Sequence, residues 1–220
     1  IRFLSEKAEK YGMENTKKSA AEIRQNCEDG ILREIGKAAR DGDLNGNFGM
    51  TESTVAYAGV ILDTAPETQQ MIDWVFQDGE RRVLYPESAS SQPDEITGGN
   101  FLRQIVDKVD RDGVSDEVSP NYSDIWIGGI VDVATALEGY DGYPGMDLYK
   151  NPKFVKMLSA MVPLTMSRRS TVQIGDSGAV ADSYTYMNFS RIQPAYKNTK
   201  LPVFAQILYF NNGNKTDGLH

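Results

Sequence analysis

Apolar residues recur three and four positions apart through most of this sequence, and that spacing predicts helices almost throughout. Between Ser19 and Arg40, Ile23, Cys27, Ile31, Ile35 and Ala38 fall on one stripe, which predicts a long helix. Val55, Ala58 and Leu62 mark another over Thr51–Leu62, and Met71, Trp74 and Val75 a third over Glu67–Gln77. Phe101, Ile105 and Val109 predict a helix over Thr97–Val109. The most apolar segment, Ser119–Leu137, opens with Ser-Pro, and proline suits a first helical position because its missing N–H would be unpaired there anyway. Asn151 reads as the N-cap of a helix running to Met166. Phe3–Tyr11 reads as a short helix stopped by Gly12, and Thr199–Phe210 as helix in preference to strand. Residues 78–96 read as a long loop and Glu138–Gly145 as a rigid aromatic one. Helices of this length joined by loops predict stacked antiparallel hairpins in one all-α unit spanning residues 1–220.

Chemistry is constrained by what the chain lacks. Its one cysteine, Cys27, excludes an internal disulfide or a cysteine-rich metal site, and its one histidine, His220, excludes a histidine cluster. Reactive groups must therefore come from Tyr, carboxylates, Asn, Arg or Lys, and neither a cofactor nor a metal is expected. The net charge of −8 argues against nucleic acid as a partner. No run approaches the ~20 apolar residues of a membrane span, so no membrane partner is expected. Sequons at Asn121, Asn188 and Asn214 carry meaning only in a eukaryotic secretory setting.

Several segments carry chemical signals. Asp41–Glu52 (DGDLNGNFGMTE) has the spacing of a calcium-binding EF-hand loop, with Asp41, Asp43 and Asn45 at positions 1, 3 and 5, Gly46 at 6 and Glu52 at 12. Such loops work in pairs and no second loop occurs, so a helix-to-helix turn competes with this reading. Gly175-Asp-Ser-Gly178 has the look of a serine-protease nucleophile loop, but no upstream histidine exists to activate the serine. A tight turn with Asp176 capping it or lining a cleft fits better. Tyr122 falls in the first turn of the apolar helix, behind Asp116 and Glu117, and is a candidate proton-transfer group. Its competing role is half-buried packing, as solvation is for Glu117. Arg168, Arg169 and Arg191 are candidate carboxylate or sulfate binders through the planar guanidinium fork. Tyr140, Tyr143 and Trp126 are candidates for stacking on sugar rings.

Taken together, Asn45–Met50 (NGNFGM), Thr97–Asn100 (TGGN), Val109–Tyr122 (VDRDGVSDEVSPNY) and Gln173–Ser177 (QIGDS) resemble the heparinase II/III family of polysaccharide lyases. The resemblance implies an incomplete α/α toroid, lacking the family's C-terminal β-sandwich domain, and thus a piece of a longer protein. It implies β-elimination on uronic-acid glycans such as heparan sulfate or alginate, in a secreted or periplasmic setting. Tyr122 is then the base or acid, Asn47 neutralises the uronate carboxylate, and Glu52 stands near the same wall. Glu117, Arg169, Asp176 and Tyr140 complete the expected substrate-binding set. The histidine often found just after the Asn turn in the family is missing here, and so is a cation to lower the Tyr122 pKa, for which Arg103, Arg168 and Arg191 are candidates. The alternatives are a non-catalytic carbohydrate-binding scaffold, a calcium-binding protein using residues 41–52, and an inverting glycosidase using Glu117 with a second carboxylate.

Overall fold

The computed structural model describes residues 6–44, 46–82, 95–140, 147–166, 170–175 and 189–218, and these are mostly helical. Helix α1 (Glu6–Thr16) runs through Gly12 rather than stopping there, and ends at Lys17, whose φ is 59°. Ser19 then caps α2 (Ala20–Cys27) in a capping box: its hydroxyl accepts from Glu22 N–H while the Glu22 carboxylate accepts from Ser19 N–H at 2.7 Å.

The long helix expected from Ser19 to Arg40 forms, but in three pieces. A π-helical turn, Glu28–Arg33, separates α2 from α3 (Glu34–Arg40). A π turn holds about one residue more than an α turn, so it re-aims the helix face. The consequence is visible in burial. Leu32, Gly36 and Ala39 face the core, while Ile31, on the expected stripe, is 54% exposed.

Helix α4 (Met50–Leu62) follows the Asp41–Gly49 loop and buries Val55, Ala58 and Leu62, as their spacing predicts. It ends at Asp63 in the left-handed region, and α5 (Glu67–Phe76) returns antiparallel to it. Thr68 ties this hairpin: its buried hydroxyl accepts from Thr64 N–H at 2.8 Å and donates to Gly59 carbonyl at 2.9 Å. Two short strands pair antiparallel, β1 (Arg81–Arg82) with β2 (Glu95–Ile96), with Arg81 opposite Ile96. Helix α6 (Phe101–Lys108) presents Phe101 and Ile105 inward, and Val109 just beyond it is also buried.

Helix α7 (Pro120–Leu137) is the axis of the molecule, with Ile130 and Val133 fully buried. It runs parallel to α4. Gly49 at the start of α4 abuts Gly129, Tyr57 senses the charge of Asp132, and Asp63 at the end of α4 senses Tyr140 just past α7. Both numbers rise together along the contact. The approach is close because both helices offer glycine: a Cβ on Gly129 would lie 2.6 Å from the Gly49 carbonyl carbon.

Asn151 caps α8 (Pro152–Ala160) by accepting from Lys153 and Phe154 N–H. The helix ends at Ala160 rather than Met166, because Pro163 has no N–H to continue the ladder and disfavours the helical conformation of Val162 before it. Strands β3 (Thr165–Met166) and β4 (Ser170–Thr171) follow as an antiparallel pair. Helices α9 (Phe189–Thr199) and α10 (Pro202–Asn211) pack on each other. Helix α10 agrees with the helix expected over Thr199–Phe210. Helix α9 was not evident from sequence, since Pro194 sits inside it. Among the described residues, no helix is long and apolar enough to cross a membrane.

Candidate functional site

Two of the segments singled out by sequence contribute Gly46–Phe48 and Gly98–Asn100 to one cavity of about 100 Å³. It is lined by Asn47, Phe48 and Glu52, by Trp74 and Arg81, and by Gly98, Gly99, Asn100 and Gln104.

The Asn47 wall is a tight turn. Met50 N–H donates to the Asn47 carbonyl at 3.0 Å, and Gly49 takes φ 89°, a left-handed value that glycine adopts freely. Glu52 sits three residues into the turn and folds back, its Oε2 accepting from Gly49 N–H at 2.9 Å. Its Oε1 accepts from Gln104 Nε2 at 3.4 Å, and Gln104 also donates to the Gly99 carbonyl at 3.0 Å. Glu52 is 7% exposed, and burial raises its pKa against the opposing pull of these hydrogen bonds and of Arg81. A carboxylate so engaged is the cap of α4, which explains its position in the sequence without a calcium ion. Asp41 and Asp43 are exposed, Asn45 lies outside the described residues, and no acidic metal cluster occurs among the described residues.

Phe48 carries the turn onto α7. Its ring meets Trp126 edge-on, centroids 5.0 Å apart, and Phe101 at 5.6 Å. Trp126 is therefore core, not a surface for sugar rings. Tyr122 stands one helical turn before Trp126 on the same stripe of α7, about 6 Å along the axis. It is half-buried and is not in the wall of the cavity.

The Gly98–Asn100 part of the lining is held by Asn100. Its Oδ1 accepts from Gly79 N–H at 2.8 Å and its Nδ2 donates to the Gly79 carbonyl at 3.1 Å. Trp74 Nε1 donates to the Ile96 carbonyl at 3.0 Å. The two glycines before Asn100 are required by contact, since a Cβ on Gly98 would lie 2.3 Å from the Gln77 carbonyl oxygen.

The remaining expected site residues fall elsewhere. Glu117 is exposed on the turn before α7, and Asp116 beside it pairs with Lys108 at 2.7 Å. That turn is anchored by Gly113 against α8 and by the buried Ser115–Ser123 hydroxyl pair. Tyr140 packs against the core, its pKa raised by burial and by Asp63. Arg169, Asp176, Arg168 and Tyr143 lie outside the described residues. Arg191, a candidate cation for Tyr122, is engaged at Asp124. It pairs with the Asp124 carboxylate and donates to the Asp124 carbonyl, on nearly the opposite face of α7. Burial raises the Asp124 pKa and Arg191 opposes it. Arg103 pairs with Asp107 on the exposed face of α6.

Sequence reasoning missed Arg81, Gln104 and Trp74 as wall residues. Arg81 was hidden in what read as a long loop. No family model, curated protein or solved structure matches the chain.

Proposed function

We propose that the chain is the helical-toroid part of a polysaccharide lyase that cleaves uronic-acid glycans by β-elimination. The observation that carries this reading is the Phe48–Trp126 contact, which draws the Asn47 turn onto the stripe of α7 that bears Tyr122. Asn47 and Tyr122 then lie toward the same end of the α4–α7 pair. Parallel neighbours of this kind also suit the inner layer of a ring of hairpins.

In this reading the Asn47 carboxamide donates to the uronate carboxylate, so that negative charge can build there as C5 loses its proton. Tyr122, as its phenolate, accepts the C5 proton and becomes the neutral hydroxyl. The C5–H electron pair becomes the C4–C5 double bond as the C4–O bond breaks, and the leaving oxygen takes a proton from the tyrosine hydroxyl. Glu52 shapes the turn and lines the same cavity. Such an enzyme meets its polymer outside the cytoplasm.

A second reading, a non-catalytic glycan-binding scaffold, is favoured by the absence of Tyr122 from the cavity wall. An ultraviolet assay separates the two. The purified chain is incubated with heparin, heparan sulfate, alginate and hyaluronan, and the absorbance of the unsaturated uronate is followed. The lyase reading expects a rise on one polymer that Tyr122→Phe abolishes. A rise that Tyr122→Phe leaves intact removes the mechanism, and no rise on any polymer favours the scaffold.

A further inference from the structure

We propose that Arg81 is the specificity-determining residue of the cavity, selecting a sugar that carries an anionic group, carboxylate or sulfate. The inference rests on the reading above that the cavity takes a sugar, and adds which residue recognises its charge.

Three observations lead to Arg81. It lines the cavity together with Asn47, and its positive charge acts on Glu52. Its neighbour Arg82 is engaged by Glu80 at 3.6 Å and Glu95 at 3.3 Å, whereas among the described residues no carboxylate pairs with Arg81. And the segment that bears it is built to stay in place. Asn100 grips both backbone groups of Gly79, Glu80 N–H donates to Thr97 Oγ1 at 2.8 Å, and Thr97 N–H donates to the Glu80 carbonyl at 3.0 Å. The β1–β2 pairing then sets Arg81 opposite Ile96, whose carbonyl is held by Trp74. The Thr-Gly-Gly-Asn segment is thus a clamp on the backbone that carries a cation, with none of its own side chains required to touch a ligand.

A guanidinium with no carboxylate partner among the described residues, lining a small polar space together with an amide, matches a planar carboxylate or a sulfate by two parallel N–H···O bonds. The Glu52 carboxyl is directed to Gly49 N–H and Gln104, and among the described residues it forms no ion pair with Arg81.

The test is direct binding by calorimetry of glucuronate, glucosamine 6-sulfate and glucose to the wild-type chain, to Arg81→Gln and to Arg81→Lys. One or both charged sugars are expected to bind about tenfold or more tightly than glucose. Arg81→Gln removes that preference, and Arg81→Lys restores part of it. Preference for glucuronate alone identifies a carboxylate site, and for the sulfated sugar alone a sulfate site. Thermal unfolding of both variants should match wild type, because the side chain is exposed. The proposal is overturned if wild type shows no preference for a charged sugar, or if Arg81→Gln keeps it. Arg81-dependent binding without any β-elimination sinks the lyase reading alone, and β-elimination unaffected by Arg81→Gln sinks this one alone.

Discussion

Gly128 and Gly129 sit side by side in the middle of α7, and replacing each by alanine should have different consequences. Helix propensity alone makes both changes favourable, by up to ~1 kcal/mol. At Gly129 the added Cβ would lie 2.6 Å from the Gly49 carbonyl carbon and 2.8 Å from its Cα. Ordinary contact begins near 3.4 Å, so α4 and α7 must part by about 0.8 Å. Both sides of the clash are backbone, and neither can rotate away. Overpacking of a tight core costs ~1–3 kcal/mol, and a rigid contact belongs at the upper end. Net of propensity, Gly129→Ala should lose about 2 kcal/mol, roughly 4–8 °C in Tm for a chain of this size. At Gly128 the Cβ meets the guanidinium of Arg191, the far end of a flexible side chain, so Gly128→Ala should stay within about 1 kcal/mol of wild type. Urea unfolding followed by circular dichroism measures both. If Gly129→Ala proves as stable as wild type, the backbone approach of α4 to α7 is wrong, and with it the placement of Asn47 beside α7.

Three further outcomes are expected. Glu52 has a raised pKa in the folded chain, so the folded state holds its proton longer than the unfolded one as pH rises from 4.5, and stability falls across that window. Glu52→Gln keeps an acceptor for Gly49 N–H and should flatten this fall, read as Tm against pH; an unchanged pH profile would contradict the burial of the carboxyl. Arg191→Met strands the Asp124 carboxylate, whose own side chain is 16% exposed, and should cost ~3 kcal/mol at neutral pH. The loss should shrink in acid as Asp124 takes a proton, and a pH-independent loss would point to packing instead. Millimolar calcium should leave Tm unchanged, because Glu52 caps α4; a calcium-dependent rise that Glu52→Gln removes would restore the metal reading of residues 41–52.

Much of the helical content was legible because burial imposes its period on the sequence. Val55, Ala58 and Leu62, or Phe101, Ile105 and Val109, cannot face one core by chance, and each set is buried. Caps with a side-chain signature were legible too, as at Asn151. What escaped depends on contacts between distant residues. Nothing local announces that Glu28–Arg33 winds as a π turn, or that Pro194 is accommodated inside a helix. At the site, Asn47 and Glu52 stood out because they belong to a dense local pattern, although the pattern suggested calcium and the structure shows a cap. Arg81 had no such pattern. Its place is set by Asn100, Thr97 and Trp74, which are remote in sequence, and by a two-residue strand too short to leave a period. Tyr122 was found from its place after Ser-Pro, but its separation from the cavity wall follows from how far α7 extends past α4.

The π turn between α2 and α3 has a meaning at the level of genes. A single codon gained or lost separates a π turn from plain α-helix, and each residue of helix carries about 100° of rotation. Gly30, within the turn, has nothing within 4 Å of where a side chain would begin, so the extra residue occupies open space. The segment before it, α2 and the α1 that packs on it, is therefore aimed like a handle on a shaft with two settings. Relatives of this chain that differ there by one residue would keep the same core and swing that handle to another side of the molecule.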